Sequence, residues 1–121
     1  MVLVLILSST PASAQFVSLV GGPPPVQDFN TLAASGSSST LPNGWYLAET
    51  DDNANSEYRA GDGSSNTGDT YSFGAGTDSE RAFGTLQSSS LVSRIGAQLR
   101  NDSGLAVTEI TVNYTGEQWR L

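Results

Sequence analysis

Apolar residues enter this chain in short runs, separated by stretches of Ser, Gly, Asn and Asp. Over 45–50, Trp45 and Leu47 fall on one face of an extended segment, as a half-buried strand requires. The same reading predicts short strands over 28–33, 56–60, 70–73 and 81–86. In these, Tyr71 alternates with Phe73, and Phe83 marks one face. The pattern is clearest over 105–115. There Ile110, Val112 and Tyr114 alternate with Thr111, Asn113 and Thr115, a period of two rich in β-branched residues. Residues 91–100 fit either a strand or a helical stripe. Gly96 penalises a helix by about 1 kcal/mol, and a hairpin turning at 101–104 needs a strand before it, so a strand is predicted.

Turn chemistry fills the gaps. Residues 34–40 are nearly all Ser and Gly and predict a loop. Leu41-Pro42-Asn43-Gly44 predicts a tight turn, since Asn-Gly accepts positive φ. Residues 51–55, 61–68, 74–79 and 101–104 are polar breaks. About seven short strands with turns every 8–12 residues predict an all-β fold, an antiparallel β-sandwich of jelly-roll type.

The N-terminus has a different character. Residues 1–7 are uninterruptedly apolar, and Ala12-Ser13-Ala14 follows after a Ser/Thr/Pro stretch. This predicts a signal peptide over 1–14, cut between Ala14 and Gln15. A buried first strand is the alternative. The run falls well short of the roughly 20 residues that span a bilayer. No Arg or Lys precedes it, so a start further upstream, or a fragment, is expected. Residues 15–26 carry Gly21-Gly22-Pro23-Pro24-Pro25 and predict an extended linker. The module itself is expected over 27–121. It is expected to be incomplete at the C-terminus, because Trp119 and Leu121 end the chain within an element.

Composition narrows the chemistry. The chain has 121 residues and a net charge of -7, with no His and no Cys. All five cations are Arg. Thiol nucleophiles, Ser-His-Asp triads, Schiff bases and the usual zinc or haem ligation are therefore excluded within the chain. Arg59, Arg81, Arg94, Arg100 and Arg120 form no basic stripe, which argues against direct nucleic-acid binding. No cofactor is expected, calcium excepted, since acidic and amide oxygens can bind it.

Two candidate sites follow. Asp51, Asn53, Asn55 and Glu57 recur at every second position, a density of oxygen donors suited to calcium, with Asp62 and Asp69 near enough in sequence to join. The same residues also populate ordinary turns. Trp45, Tyr46, Tyr58, Tyr71 and Trp119 offer faces for sugar stacking, while a small sandwich needs most of its aromatics inside. Tyr46 and Tyr58 are expected to be the exposed ones. No pair of the 12 acidic residues is singled out for glycoside hydrolysis, and 61–63 and 74–76 lack the spacing of a phosphate-binding loop.

An ordered string of motifs adds to this. It runs Gln27-Asp28-Phe29-Asn30-Thr31-Leu32, Leu41-Pro42-Asn43-Gly44-Trp45, Tyr58-Arg59-Ala60-Gly61-Asp62-Gly63, Asp69-Thr70-Tyr71-Ser72-Phe73-Gly74, Arg81-Ala82-Phe83-Gly84-Thr85-Leu86 and Gly116-Glu117-Gln118-Trp119-Arg120. It resembles the N-terminal β-sandwich module of exported bacterial proteins. These are PEP-CTERM-sorted surface proteins and secreted proteins with an endonuclease/exonuclease/phosphatase domain further on. The resemblance implies a secreted or cell-surface, non-catalytic structural or adhesive module, with an extracellular glycan or another surface protein as partner. The alternative it implies is an accessory domain of a secreted nuclease or phosphoesterase whose catalytic domain follows residue 121. It assigns Trp45, Tyr71, Phe73, Phe83 and Trp119 to packing and turns.

Overall fold

The computed structural model describes residues 15–23 and 25–120. The expected signal peptide, 1–14, lies outside them. Among the described residues every regular element is a strand, so the fold is all-β. The order is β1 (Val17–Leu19), β2 (Ser37–Ser38), β3 (Trp45–Thr50), β4 (Tyr58–Gly61), β5 (Asp69–Phe73), β6 (Ala82–Leu86), β7 (Val92–Ala97) and β8 (Leu99–Asn101). No helix among them is long and apolar enough to cross a membrane.

Among the described residues three sheets form: β2-β4-β5-β6, the antiparallel pair β3-β7, and the pair β1-β8. The pairings β4-β5 and β1-β8 are parallel, a departure from the expected all-antiparallel arrangement. Between β4 and β5 an irregular loop over 62–68 carries the crossover.

Alternation along β3 sets the core. Trp45, Leu47 and Glu49 turn inward while Tyr46, Ala48 and Thr50 face out. Leu47 pairs with Ile95 across β3-β7. Both pack on a buried cluster of Leu32, Tyr58 and Phe83, together with Phe29, Ala33 and Leu41. Phe29 meets Trp45 edge-on at 4.6 Å, and Tyr58 meets Phe83 edge-on at 6.0 Å. Each such pair adds about 0.5–1.5 kcal/mol beyond its buried area. The inward carboxylate of Glu49 is satisfied. It accepts from Thr70 N (3.1 Å), Thr70 Oγ1 (2.6 Å) and Asn55 N (3.0 Å), tying β3 to β5 and to the 51–57 turn.

Four sequence expectations are corrected. Residues 28–33 are a turn, not a strand. Asp28 Oδ1 takes the Asn30 N–H and Gln27 Oε1 takes the Phe29 N–H, and Phe29 sits at φ 60°. Side chains that capture neighbouring N–H groups remove them from a ladder. Residues 34–40 are not wholly loop, since β2 pairs with β4. The 15–26 linker contains β1. Val17 N donates to the Gln98 carbonyl and the Asn43 amide donates to the Phe16 carbonyl. This strand crosses Gly44 so closely that a β-carbon there would overlap it. Finally, 105–115 is not a strand, and the hairpin at 101–104 does not form. β8 pairs with β1 instead, and Ile110, Val112 and Tyr114 are exposed. Strand propensity measures fit to a half-buried pleated surface, and no described strand offers this segment a partner.

Candidate functional site

The parallel β4-β5 crossover leaves loop 62–68 at one end of the four-stranded sheet, and the chain returns to it at 117–120. Asp62 opens the loop. Its Oδ1 accepts both the Ser64 N–H (3.0 Å) and the Ser64 hydroxyl (2.6 Å). These bonds, the hydroxyl's first, hold the Asp62 carboxyl below its ordinary pKa. Gly63 follows at φ +85°, with the Trp119 carbonyl pressed against its α-carbon. Deeper in the loop, the Tyr71 hydroxyl donates to the Thr67 carbonyl (2.8 Å) and accepts from the Ser65 hydroxyl (3.1 Å). Arg120 Nη1 donates to the Ser65 carbonyl (2.8 Å). The buried phenol and the guanidinium thus fix the loop from two sides.

Trp119 completes an aromatic column. Its ring lies parallel to Phe73, with centroids 6.0 Å apart and 8° between planes. Phe73 stacks in turn on Tyr71 at 4.9 Å. The indole N–H donates to Glu117 Oε2 (2.8 Å), and Gln118 Nε2 donates to the Arg120 carbonyl (2.9 Å). Between loop and return segment lies an open cleft of about 580 Å³, lined by Asp62, Gly63, Ser64, Gln118, Trp119 and Arg120. An aromatic side chain, an ionised carboxylate, an amide and a guanidinium converge there. A few polar groups beside an aromatic wall fix the orientation of a bound small molecule. In this set the groups suit a polyhydroxylated ring, with apolar C–H faces for the indole and hydroxyls for the carboxylate and amide.

The candidates from sequence are distributed differently. Tyr58 is corrected outright. It is 1% exposed, its hydroxyl donating to the Thr40 carbonyl and accepting from Ala33 N, so no ligand reaches it. Tyr46 is exposed, but on the outer face of β3, paired with Gly96 and apart from the cleft. Asp51, Asn53, Asn55 and Glu57 are all exposed. The structure uses them as turn residues. Asn55 Oδ1 accepts the Glu57 N–H (2.7 Å), the Asp51 carbonyl accepts Ala54 N, and Asn53 N donates to the Ser90 carbonyl. Among the described residues no group of three or more acidic side chains is placed to hold a metal ion. Asp62 lies in the cleft. Asp69 is buried, 3.6 Å from Arg59 Nε.

The sequence offers Trp119 as one of five stacking faces, the resemblance assigns it to packing, and neither singles out Gln118 or Arg120. The signal available was composition: Gly116-Glu117-Gln118-Trp119-Arg120 sets a large aromatic among hydrogen-bonding side chains. Position supplied the rest, since only the crossover brings Asp62 to it. Comparison of the chain with protein-family models, with curated proteins and with solved structures returned no match.

Proposed function

We propose that this chain is a non-catalytic binding module of a secreted or cell-surface bacterial protein, and that it holds an extracellular saccharide in the Asp62–Trp119 cleft. One observation carries the reading: Trp119, Asp62, Gln118 and Arg120 line a single open cleft of about 580 Å³. Its role is adhesive. The leader-like residues 1–14 and the low content of charged side chains, 14%, support export. The lack of His, Cys and Lys supports binding without chemistry, because no side chain with an ordinary pKa near neutrality is present to act as general base.

The test is intrinsic Trp fluorescence titrated with a panel of soluble oligosaccharides. Trp45 and Trp119 are the two reporters, and Trp45 packs against Phe29 in the core. Binding should shift the emission of the parent chain, and Trp119→Ala should abolish the shift with an unchanged far-UV spectrum. Silence across the panel removes the reading.

A further inference from the structure

We infer that the cleft selects uncharged saccharides over uronate or sulfated ones, and that Asp62 is the residue that sets this preference. The inference rests on the saccharide reading above and narrows its ligand class.

The argument starts from how Asp62 is held. Both bonds from Ser64 fall on Oδ1, and Oδ2 has no partner among the described residues. The carboxylate therefore presents one committed oxygen to the loop and one uncommitted oxygen beside the cleft. An ionised carboxylate only accepts hydrogen bonds. Its ligand partner must be a donor, and sugar hydroxyls are donors that carry no charge. Charge-assisted bonds of this kind are roughly twice as strong as neutral ones.

The cation at the cleft offsets only part of this charge. Arg120 is the one cationic residue of the lining among the described residues, and its Nη1 is tethered to the Ser65 carbonyl. Glu117, one residue before Gln118, accepts the indole N–H and adds a second negative charge beside the site, so that Asp62 and Glu117 together outweigh Arg120. The whole chain carries -7. A ligand carboxylate or sulfate entering next to Asp62 meets like charge, so the carboxylate that accepts from a neutral sugar's hydroxyls penalises the anionic partner. Trp119 supplies affinity for any pyranose face; Asp62 decides which pyranoses stay.

The test uses the full chain and two probe sets matched in length. Neutral hexasaccharides of glucose, xylose, mannose and N-acetylglucosamine form one set, and hexagalacturonate and hexaguluronate the other. Affinities are read by calorimetry at two NaCl concentrations. At least one neutral probe should bind at least 10-fold more tightly than either anionic probe, and the gap should shrink as salt screens the exposed charge. Asp62→Asn keeps an oxygen that can accept both Ser64 bonds. It should weaken the neutral probe several-fold while closing most of the gap, and its salt dependence should fall. Anionic probes binding as well as neutral ones overturn the inference and leave the saccharide reading standing. A gap that Asp62→Asn leaves unchanged overturns the role of Asp62. Binding by neither set overturns both the inference and the function it rests on.

Discussion

Gly63 and Trp119 are locked backbone to backbone. The Gly63 α-carbon, at φ +85°, lies where any β-carbon would overlap the Trp119 carbonyl. The aromatic wall of the cleft is thus positioned by a main-chain contact as much as by its stack on Phe73. Gly63→Ala adds both backbone strain of about 1–3 kcal/mol and a clash that only movement of 117–120 relieves. The variant should melt lower and lose saccharide binding, with its Trp emission shifted to the red. Gly76→Ala is the control, being at φ +56° with open space around it. It should lower the melting temperature but leave emission and binding intact. If both variants behave alike, the contact with Trp119 is not what positions the wall.

Arg81 poses a different question. It is 1% exposed, donating Nε to Ser72 Oγ (2.9 Å) and Nη2 to the Ser72 carbonyl, while Nη1 has no partner among the described residues. No acidic group among them lies within salt-bridge distance. A buried charge without a counter-charge is costly to keep. Arg81→Met retains the stem volume and removes the charge, so it should fall within about 1.5 kcal/mol of the parent in urea denaturation. Arg81→Ala opens a cavity and should cost about 2–5 kcal/mol. Equal losses would mean that the Ser72 bonds, not the volume, hold β5 to the start of β6.

The pattern of legibility follows from locality. β3 was readable to the residue, because Trp45, Leu47 and Glu49 alternate on a strand with a partner, β7, that buries one face. The 41–44 turn was readable because Asn-Gly encodes positive φ, and Gly44 adopts +80°. The 28–33 turn was not, since its Asp28 and Gln27 captures depend on side-chain geometry that apolar spacing does not record. Tyr58 was misplaced for a related reason. Its neighbours Glu57 and Arg59 are exposed, and only the β2-β4-β5 pairing sinks the residue between them. The cleft was invisible as a unit, because Asp62 and Trp119 are brought together by a parallel crossover that no local motif announces.

Stability should depend on pH in one sense through Asp69 and in the opposite sense through Asp62 and Asp102. Burial pushes the Asp69 carboxyl above its ordinary pKa, with Glu49 adding to the rise and Thr70 N and Arg59 opposing it. The folded state therefore holds that proton more tightly than the unfolded chain. Its contribution is fully present below the ordinary value and is lost as pH rises through the folded value. Asp62 and Asp102 are shifted down, Asp62 chiefly by the Ser64 hydroxyl and Asp102 by the Ser18 hydroxyl and then Arg100. Their contribution is present above the ordinary value, about pH 4, and is lost as pH falls through the lowered ones. Melting temperature should rise slightly on acidification towards about pH 4 and fall below it. Asp69→Asn should flatten the first limb and spare the second. A first limb that survives this substitution assigns it to another group.

The segment 105–115 carries the sharpest disagreement between pattern and structure. Its alternation is that of a strand, yet Val112 is 72% exposed and Tyr114 89%. Side chains in that state contribute little to folding, and substitutions there should stay within about 0.5 kcal/mol. Val112→Lys and Tyr114→Lys are the discriminating variants. Each should leave the melting temperature of the dilute chain almost unchanged. Each should also reduce association at high concentration, because an exposed apolar stripe with unpaired backbone is a template for pairing and an added Lys blocks it. Sedimentation across a concentration series reads the second effect and calorimetry the first. A loss of several degrees at low concentration would mean that 105–115 is packed in solution and that its alternation marks a buried face after all.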